Sequence, residues 1–303
     1  MTTRTSATSG NWRADDADTW GLGIGNYPAA GEHVVIDTGH TVTLGESNNA
    51  GSIKLIGTLA GGGYTLTLND GGDSEIFDHD GTITGTLNIT ITGTTNRLLD
   101  LSGSSGNVNN LIINASSTTF TLSGTGTHTV AGNLTITAGT LDTDSSNNRA
   151  LTVTGTTTLT GTLNLNGSTA SFNSGATAGG VILGTAGYIN GDADSTVTMG
   201  SIRATGTGNR GVSLAGTNTI NKYAATDDNI INLMDGTVDG TTLFTVTTTD
   251  AKGFALQDYT ASVTLNPGSS TAYKLEDTMN VNNLTINSNA SLTTLDGSSN
   301  RGL

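Results

Sequence analysis

Asn96-Arg97-Leu98-Leu99-Asp100-Leu101-Ser102-Gly103 is a phrase that the chain repeats. Its pattern, N-R-x-[LV]-x-[LV]-x-G, returns at 148–155 and 209–216 and begins again at 300–303. Each full copy alternates apolar residues with others, as a β-strand with one buried face does. A recurring strand phrase indicates stacked units, each too small to bury its own apolar face. The fourth copy stops in mid-phrase, which predicts that the parent sequence continues beyond Leu303. The residues that open the four copies are Asn96 and Arg97, Asn148 and Arg149, Asn209 and Arg210, and Asn300 and Arg301.

The same alternation runs through the rest of the chain, for example at 86–91, 160–165 and 262–265. Clusters of Gly, Asn and Ser separate these segments, as expected of turns, and no segment has a sustained helical period. Two shorter phrases, N-L-x-I and G-T-L, recur at irregular spacing. Constant strand phrases joined by turns of variable length predict an all-β fold, an elongated right-handed parallel β-helix. A series of tandem β-sandwiches is the alternative.

Changes in composition and strand pattern along the chain predict four regions. Residues 1–50 form an N-terminal cap and the first turns, and residues 51–216 form the turns of the β-helix. Residues 217–260 are richer in Asp, Lys and aromatic residues, which predicts an irregular insertion or a bend. Residues 261–303 return to the strand pattern and are expected to end within a repeat.

The composition excludes several classes of function. The formal net charge is −14, and 12% of the residues are charged. A shortage of clustered cations argues against binding to nucleic acid or to an anionic membrane surface. The chain has no cysteine, so disulfides and thiolate metal sites are excluded. Its start lacks the apolar core of a cleaved secretory signal, and no stretch approaches the length of a membrane span.

The N-terminal region carries a second kind of pattern, with both tryptophans of the chain. Its elements are Gly10-Asn11-Trp12, then 18–21, 27–32, 34–36 and 39–44. In this order and spacing the segment resembles the start of the eight-glycine domain family and related phage and bacterial β-helix proteins. Those openings read G-x-W, T-W-G-G, P-x-x-G-D-x-V-x-I and G-H-x-V-T-L. Here Leu22 replaces the second glycine of T-W-G-G, and Glu32 stands where the family usually has Asp. The resemblance implies a β-helix start and a surface, carbohydrate-associated or virion protein.

Trp12 and Trp20 are candidates for covering the first turn of the β-helix. An open solenoid end exposes strand edges and an apolar cross-section, and two large aromatic side chains can cover it. The alternative is that exposed indole rings stack on a sugar. The sequence predicts the cap and keeps a carbohydrate contact as the second interpretation.

Catalytic machinery is not visible in the sequence, and no catalytic residue is predicted. The densest group of oxygen ligands is Asp73, Glu75, Asp78 and Asp80. Because Ca²⁺ prefers six to eight oxygens, a calcium ion at this loop is an open hypothesis and otherwise no cofactor is expected. The group matches neither the nonapeptide calcium repeat nor the helix-loop-helix calcium loop.

The function that these patterns favour is structural. The sequence predicts a non-enzymatic structural or attachment protein of a phage virion, such as a tail fibre, spike or decoration. A bacterial extracellular adhesin or surface filament subunit is the first alternative. A carbohydrate-binding or polysaccharide-degrading β-helix is the second. The expected partners are further copies of the chain, with a trimer as one arrangement, other virion or surface proteins, and a cell-surface glycan. The expected location is the virion or the cell exterior.

Overall fold

A computed structural model describes most of the chain. The described residues are 2–13, 18–23, 25–172, 180–205, 208, 210–221, 229–233, 237–238, 241–249, 253–256, 261–275 and 279–293. Every regular element among the described residues is a β-strand. These residues therefore contain no helix long and apolar enough to cross a membrane. The chain divides into two compact units, residues 1–144 (unit 1) and residues 145–303 (unit 2).

Unit 1 contains fifteen strands. They are β1 (Thr3–Thr5), β2 (Gly10–Asn11), β3 (His33–Ile36), β4 (Thr41–Thr43), β5 (Asn48–Ala50), β6 (Ser52–Leu55), β7 (Thr58–Ala60), β8 (Thr65–Leu68), β9 (Glu75–His79), β10 (Thr82–Thr84), β11 (Asn88–Ile91), β12 (Arg97–Leu99), β13 (Leu111–Leu122), β14 (His128–Val130) and β15 (Leu134–Asp142).

These strands stack into three parallel columns, and the chain visits the columns in succession on each turn, as β3, β4, β5 and β6 show. The first column runs β1, β3, β6, β9 and β12. The second runs β5, β8 and β11, and the third runs β2, β4, β7 and β10. The long strand β13 joins the second column with its first residues and the first column with its last. The spacing between paired residues on successive turns varies from 17 residues (Thr41 to Thr58) to 32 (Gly10 to Val42).

Inward side chains build the core of unit 1 by stacking on their counterparts one turn away. In the first column Val34, Ile53, Phe77, Leu99 and Leu122 are paired in succession, and all have no exposed surface. The intervening outward residues are mostly Thr and Asn, so the period-two pattern of the sequence becomes a division between core and surface. Successive turns lie about 4.8 Å apart, close enough for direct side-chain packing.

Asparagine side chains link neighbouring turns through their amides. The Nδ2 atoms of Asn109 and Asn110 donate to Asn88 Oδ1 at 3.0 and 2.9 Å. In unit 2, Asn190 Nδ2 donates to Asn164 Oδ1 at 2.9 Å. These hydrogen bonds join equivalent positions of adjacent turns. They also satisfy polar groups that the stacking of the turns brings together.

Unit 2 contains eighteen strands. They are β16 (Leu151–Val153), β17 (Thr157–Leu159), β18 (Thr162–Asn164), β19 (Thr169–Phe172), β20 (Val181–Leu183), β21 (Tyr188–Gly191), β22 (Thr196–Met199), β23 (Ile202–Ala204), β24 (Gly211–Leu214), β25 (Thr217–Ile220), β26 (Asn229–Leu233), β27 (Thr237–Val238), β28 (Leu243–Val246), β29 (Gly253–Leu256), β30 (Ser262–Leu265), β31 (Thr271–Leu275), β32 (Leu284–Ile286) and β33 (Ala290–Thr293).

Unit 2 is likewise built from parallel columns of strands. One column holds β16, β19, β22, β25, β28, β30 and β32. A second holds β17, β20, β23, β26, β29, β31 and β33, and a third holds β18, β21, β24 and β27. The described part of the stretch 217–260 supplies β25 to β29, which pair in parallel with their neighbours, with one register shift between Asn229 and Ile231. The rest of that stretch lies outside the described residues.

Both units are therefore parallel β-solenoids, and the predicted all-β, β-helix fold is confirmed. Tandem β-sandwiches would require antiparallel ladders, whereas every strand pair described within the two units is parallel. The right-handed sense of the β-helix stays a prediction.

Candidate functional site

Carboxylates of unit 1 converge where β6, β9 and β12 lie side by side. Asp78 in β9 stands in register opposite Lys54 in β6, and Asp100 follows β12 directly. One carboxylate oxygen from each of Asp78, Asp80 and Asp100 lies within 4.8 Å of the other two. Asp78 and Asp100 are buried, and Asp80 is exposed. Stacking of turns thus brings together acidic residues that are about one turn apart in the sequence.

Lys54 forms ion pairs with two of these carboxylates. Its ammonium donates a hydrogen bond to Asp78 Oδ2, and it donates to Asp80 Oδ2 at 3.2 Å. The bond to Asp78 raises the pKa of Lys54. Asp100 Oδ1 accepts from the backbone N and the Oγ of Ser102 at 2.7 and 2.6 Å. Ca²⁺ needs six to eight oxygens, and here an ammonium already occupies two of the carboxylates. The arrangement suits an internal ion pair better than the hypothesised calcium ion.

Glu75 stands beside this group at the start of β9. Burial raises the pKa of Glu75, and the nearby carboxylates of Asp78 and Asp100 raise it further. A carboxyl group whose pKa is raised is a better candidate for a proton donor than an ordinary carboxyl group. The cluster Glu75–Asp78–Asp80–Asp100 is called the acidic cluster below.

Replacing Glu75 with glutamine is expected to stabilise unit 1 at neutral pH and to have little effect in acid. The folded state raises the pKa of Glu75, so it binds this proton more tightly than the unfolded chain does. The contribution of Glu75 to stability is therefore complete below the ordinary glutamate pKa and is lost as pH rises through the folded value. Urea unfolding at neutral pH and at about pH 3, below the ordinary value, measures the difference.

The matched control for Glu75 is Glu46→Gln. The Glu46 side chain is 51% exposed and pairs with Arg13 at 2.9 Å between Oε1 and Nε. Exposed ion pairs contribute little, so this variant should change stability by less than about 1 kcal/mol at either pH. A loss of stability in Glu75→Gln at neutral pH would contradict the raised pKa.

Asp73 lies apart from the acidic residues with which the sequence grouped it. Its Oδ2 is 3.3 Å from His33 Nε2, and its Oδ1 accepts from the backbone N of Ser74 at 2.7 Å. The structure instead places Asp100 beside Asp78 and Asp80. Asp100 was not predicted to belong to this group, because it is distant from the other two in the sequence. Asp100 would have been found if the register between β9 and β12 had been known, because Leu99 pairs with Phe77.

A shallow groove beside the acidic cluster crosses the turns that contain β9, β12 and β13. Its volume is about 510 Å³, within the range of ligand-binding clefts. The side chain of Leu98 is 39% exposed there. The residues that line this groove, called the Arg97 groove below, are Ser74, Asn96, Arg97, Leu98, Thr119 and Thr121.

Both predicted cap residues are buried in the first turns of unit 1. Trp12 has no exposed surface, and Trp20 is 4% exposed. Their ring centroids lie 5.3 Å apart in an edge-to-face arrangement, and Trp20 Nε1 donates to the carbonyl oxygen of Trp12 at 2.7 Å. The backbone N of Trp12 donates to Thr43, which continues the third column. Since neither ring presents an open face, stacking of a sugar on these indoles has no support, and the cap stays the favoured interpretation.

The three described arginines of the repeated phrase have different environments. Arg97 opens β12 and lines the groove, whereas Arg149 lies just before β16 in unit 2. Arg210 is 1% exposed, and its Nη1 donates to the carbonyl oxygens of Thr205 and Leu183 at 2.6 and 3.4 Å. Within unit 2, Arg149 and Arg210 precede strands of different columns, so they do not form a row of cations. Asn96 and Asn148 are described, whereas Asn209, Asn300 and Arg301 lie outside the described residues.

The fold and these contacts place the chain among the parallel β-solenoid proteins. The chain matches no protein-family model, no curated protein and no solved structure.

Proposed function

We propose that this chain is a non-enzymatic structural or attachment protein of a phage virion, as part of a tail fibre, spike or decoration. The observation that carries the proposal is the continuous parallel pairing of strands within each unit, with seven strands in one column of unit 2. In solenoids of this kind each turn is stabilised by its contacts with the neighbouring turns. Such a body suits a load-bearing or spacing role.

The ion pairs of Lys54 within the acidic cluster are consistent with a structural role. Lys54 takes up two carboxylates of the cluster and thereby ties β6 to β9 across adjacent turns. The resemblance of the N-terminal segment to the eight-glycine domain family and related surface and virion proteins supports the location. Self-association into a homo-oligomer, with a trimer as one arrangement, belongs to the same proposal.

Immunogold electron microscopy of purified particles tests the proposal. Antibodies against the full chain should label tails or spikes, and mass spectrometry of the same particles should contain its peptides. Label on the bacterial envelope with none on particles would overturn the virion location and favour the alternative, an adhesin or surface filament subunit. Analytical ultracentrifugation of the purified chain reports the oligomeric state.

A second candidate function is cleavage of a polysaccharide, and the acidic cluster favours it. Glycoside hydrolysis needs a protonated carboxyl as acid and a second carboxylate as base or nucleophile. Glu75, with its raised pKa, and Asp78 or Asp100 are residues of that kind beside the Arg97 groove. Release of reducing ends from a polysaccharide by the wild type, and its loss in Glu75→Gln, would establish this function. No release from a panel of bacterial polysaccharides would rule it out for them.

A further inference from the structure

We propose that the Arg97 groove binds an acidic polysaccharide and that the guanidinium of Arg97 holds a sugar carboxylate. This inference deepens the attachment function proposed above, because it names the chemistry of the surface to which the protein would attach. It rests on the hydrogen bonding of Arg97, on the lining of the groove and on the charge around it.

Arg97 is a half-buried cation with unused hydrogen-bonding capacity. Its Nε is buried and has no hydrogen-bond partner among the described residues. Asp70 is near enough for the charge of Arg97 to contribute to lowering the pKa of Asp70. The oxygens of Asp70, however, accept from Thr94 Oγ1 at 2.6 Å and from the backbone N of Thr95 at 3.1 Å. A guanidinium left in this state favours a carboxylate ligand, because the two planar groups match in geometry.

The rest of the lining suits a sugar. Ser74, Thr119 and Thr121 supply hydroxyl groups, and the exposed side of Leu98 supplies an apolar contact for the C–H face of a pyranose ring. Asn96 Oδ1 accepts from the backbone N of Thr119 at 2.8 Å, which fixes the wall of the groove. Because the groove crosses three turns, it is about 10 Å wide, enough for more than one sugar unit.

The surrounding charge limits which acidic polymer can bind. Glu75 lies opposite Leu98 in the strand register, Asp70 lies near Arg97, and the net charge of the chain is −14. A densely charged polyanion such as a nucleic acid would be repelled by these carboxylates, and Arg97 alone would have to offset that repulsion. A polymer with a single carboxylate on each sugar, such as a uronic acid chain, requires only that one cation.

Arg149 provides a matched comparison within the same chain. It follows Asn148 in the same phrase as Arg97, but it does not line the groove. A substitution there removes the same charge from the same sequence context without touching the proposed site.

Isothermal titration calorimetry of the full chain with oligogalacturonate and oligoglucuronate tests the inference. The acidic oligosaccharides should bind, a neutral oligosaccharide of equal length should bind much more weakly, and added salt should weaken the binding. Arg97→Gln should lower the affinity about 10- to 100-fold, the range expected for a hydrogen bond to a charged group. Arg149→Gln should leave it unchanged. Thr121→Glu, which keeps Arg97 but adds a negative charge to the wall, should also abolish binding.

Several outcomes would overturn the inference: no binding of either acidic oligosaccharide, equal binding of the neutral one, or equal losses in Arg97→Gln and Arg149→Gln. Equal binding of polyglutamate would show that the groove recognises carboxylates without selecting sugars, and would also overturn it. Circular dichroism of each variant separates lost binding from lost folding. These results are independent of particle labelling, so a failure here is distinguishable from a failure of the virion proposal.

Discussion

Trp12→Ala is expected to destabilise unit 1 by about 3–5 kcal/mol, the cost of deleting a large buried aromatic side chain. Trp12 has no exposed surface and meets Trp20 edge to face at 5.3 Å. Its removal leaves a cavity at the start of the unit and deprives Trp20 of its ring partner. The backbone carbonyl of residue 12 remains, so the hydrogen bond from Trp20 Nε1 can persist. The expected loss is therefore one of packing.

Tryptophan fluorescence during urea unfolding measures this loss in unit 1 selectively, since both tryptophans of the chain lie there. In the variant, Trp20 alone reports. Trp12→Phe should lose much less, because it keeps an aromatic ring and removes an Nε1–H that has no hydrogen-bond partner among the described residues. Tyr64→Ala is the control, because Tyr64 is 39% exposed. Equal effects at Trp12 and Tyr64 would contradict the buried packing of the first turns.

The alternation of residues was sufficient to predict the strands and their buried faces. It is a local property, because successive side chains on a strand point to opposite faces whatever the strand pairs with. The phrase N-L-x-I also located one true stack. Leu111 lies opposite Leu134, and Ile113 lies opposite Ile136, on adjacent turns.

The pairing between turns could not be predicted, because it depends on the length of each connection. The phrase N-R-x-[LV]-x-[LV]-x-G opens strands of different columns, so it recurs without being the unit of stacking. Turn lengths between 17 and 32 residues hide the true period in unit 1. For the same reason the sequence grouped Asp73 with Asp78, whereas the structure places Asp100 there.

The lining of the Arg97 groove could not be predicted from the sequence either, because it also depends on the pairing between turns. Its lining comes from β12, from the residue before each of β9 and β12, and from the second half of β13. The sequence singled out Arg97 and Asn96 through the repeated phrase, but it gave no signal that Thr119 and Thr121 lie beside them. The pairing of β12 with β13 and with β9 joins these residues into one surface.

Gly57→Ala is expected to destabilise unit 1 by about 3 kcal/mol or more, at the upper end of what overpacking costs. Gly57 lies at the corner between β6 and β7, in one of the G-T-L phrases. A methyl group there would lie 2.2 Å from the carbonyl oxygen of Asp37 and 2.5 Å from that of His40, on the preceding turn. Neither carbonyl can retreat freely, since the backbone N of Thr58 donates to His40 at 2.8 Å.

Gly45→Ala is the matched control for Gly57→Ala in the same unit. A methyl group at Gly45 meets nothing within 4 Å, and its φ lies outside the left-handed region. Alanine there restricts the unfolded chain and should raise stability by about 0.4–1 kcal/mol. Urea unfolding followed by tryptophan fluorescence should therefore move in opposite directions for the two variants. If both moved alike, the corners of successive turns would not be in contact. In that case the glycine of G-T-L would be needed only for the flexibility of the chain, and not because the backbone of the preceding turn lies against this corner.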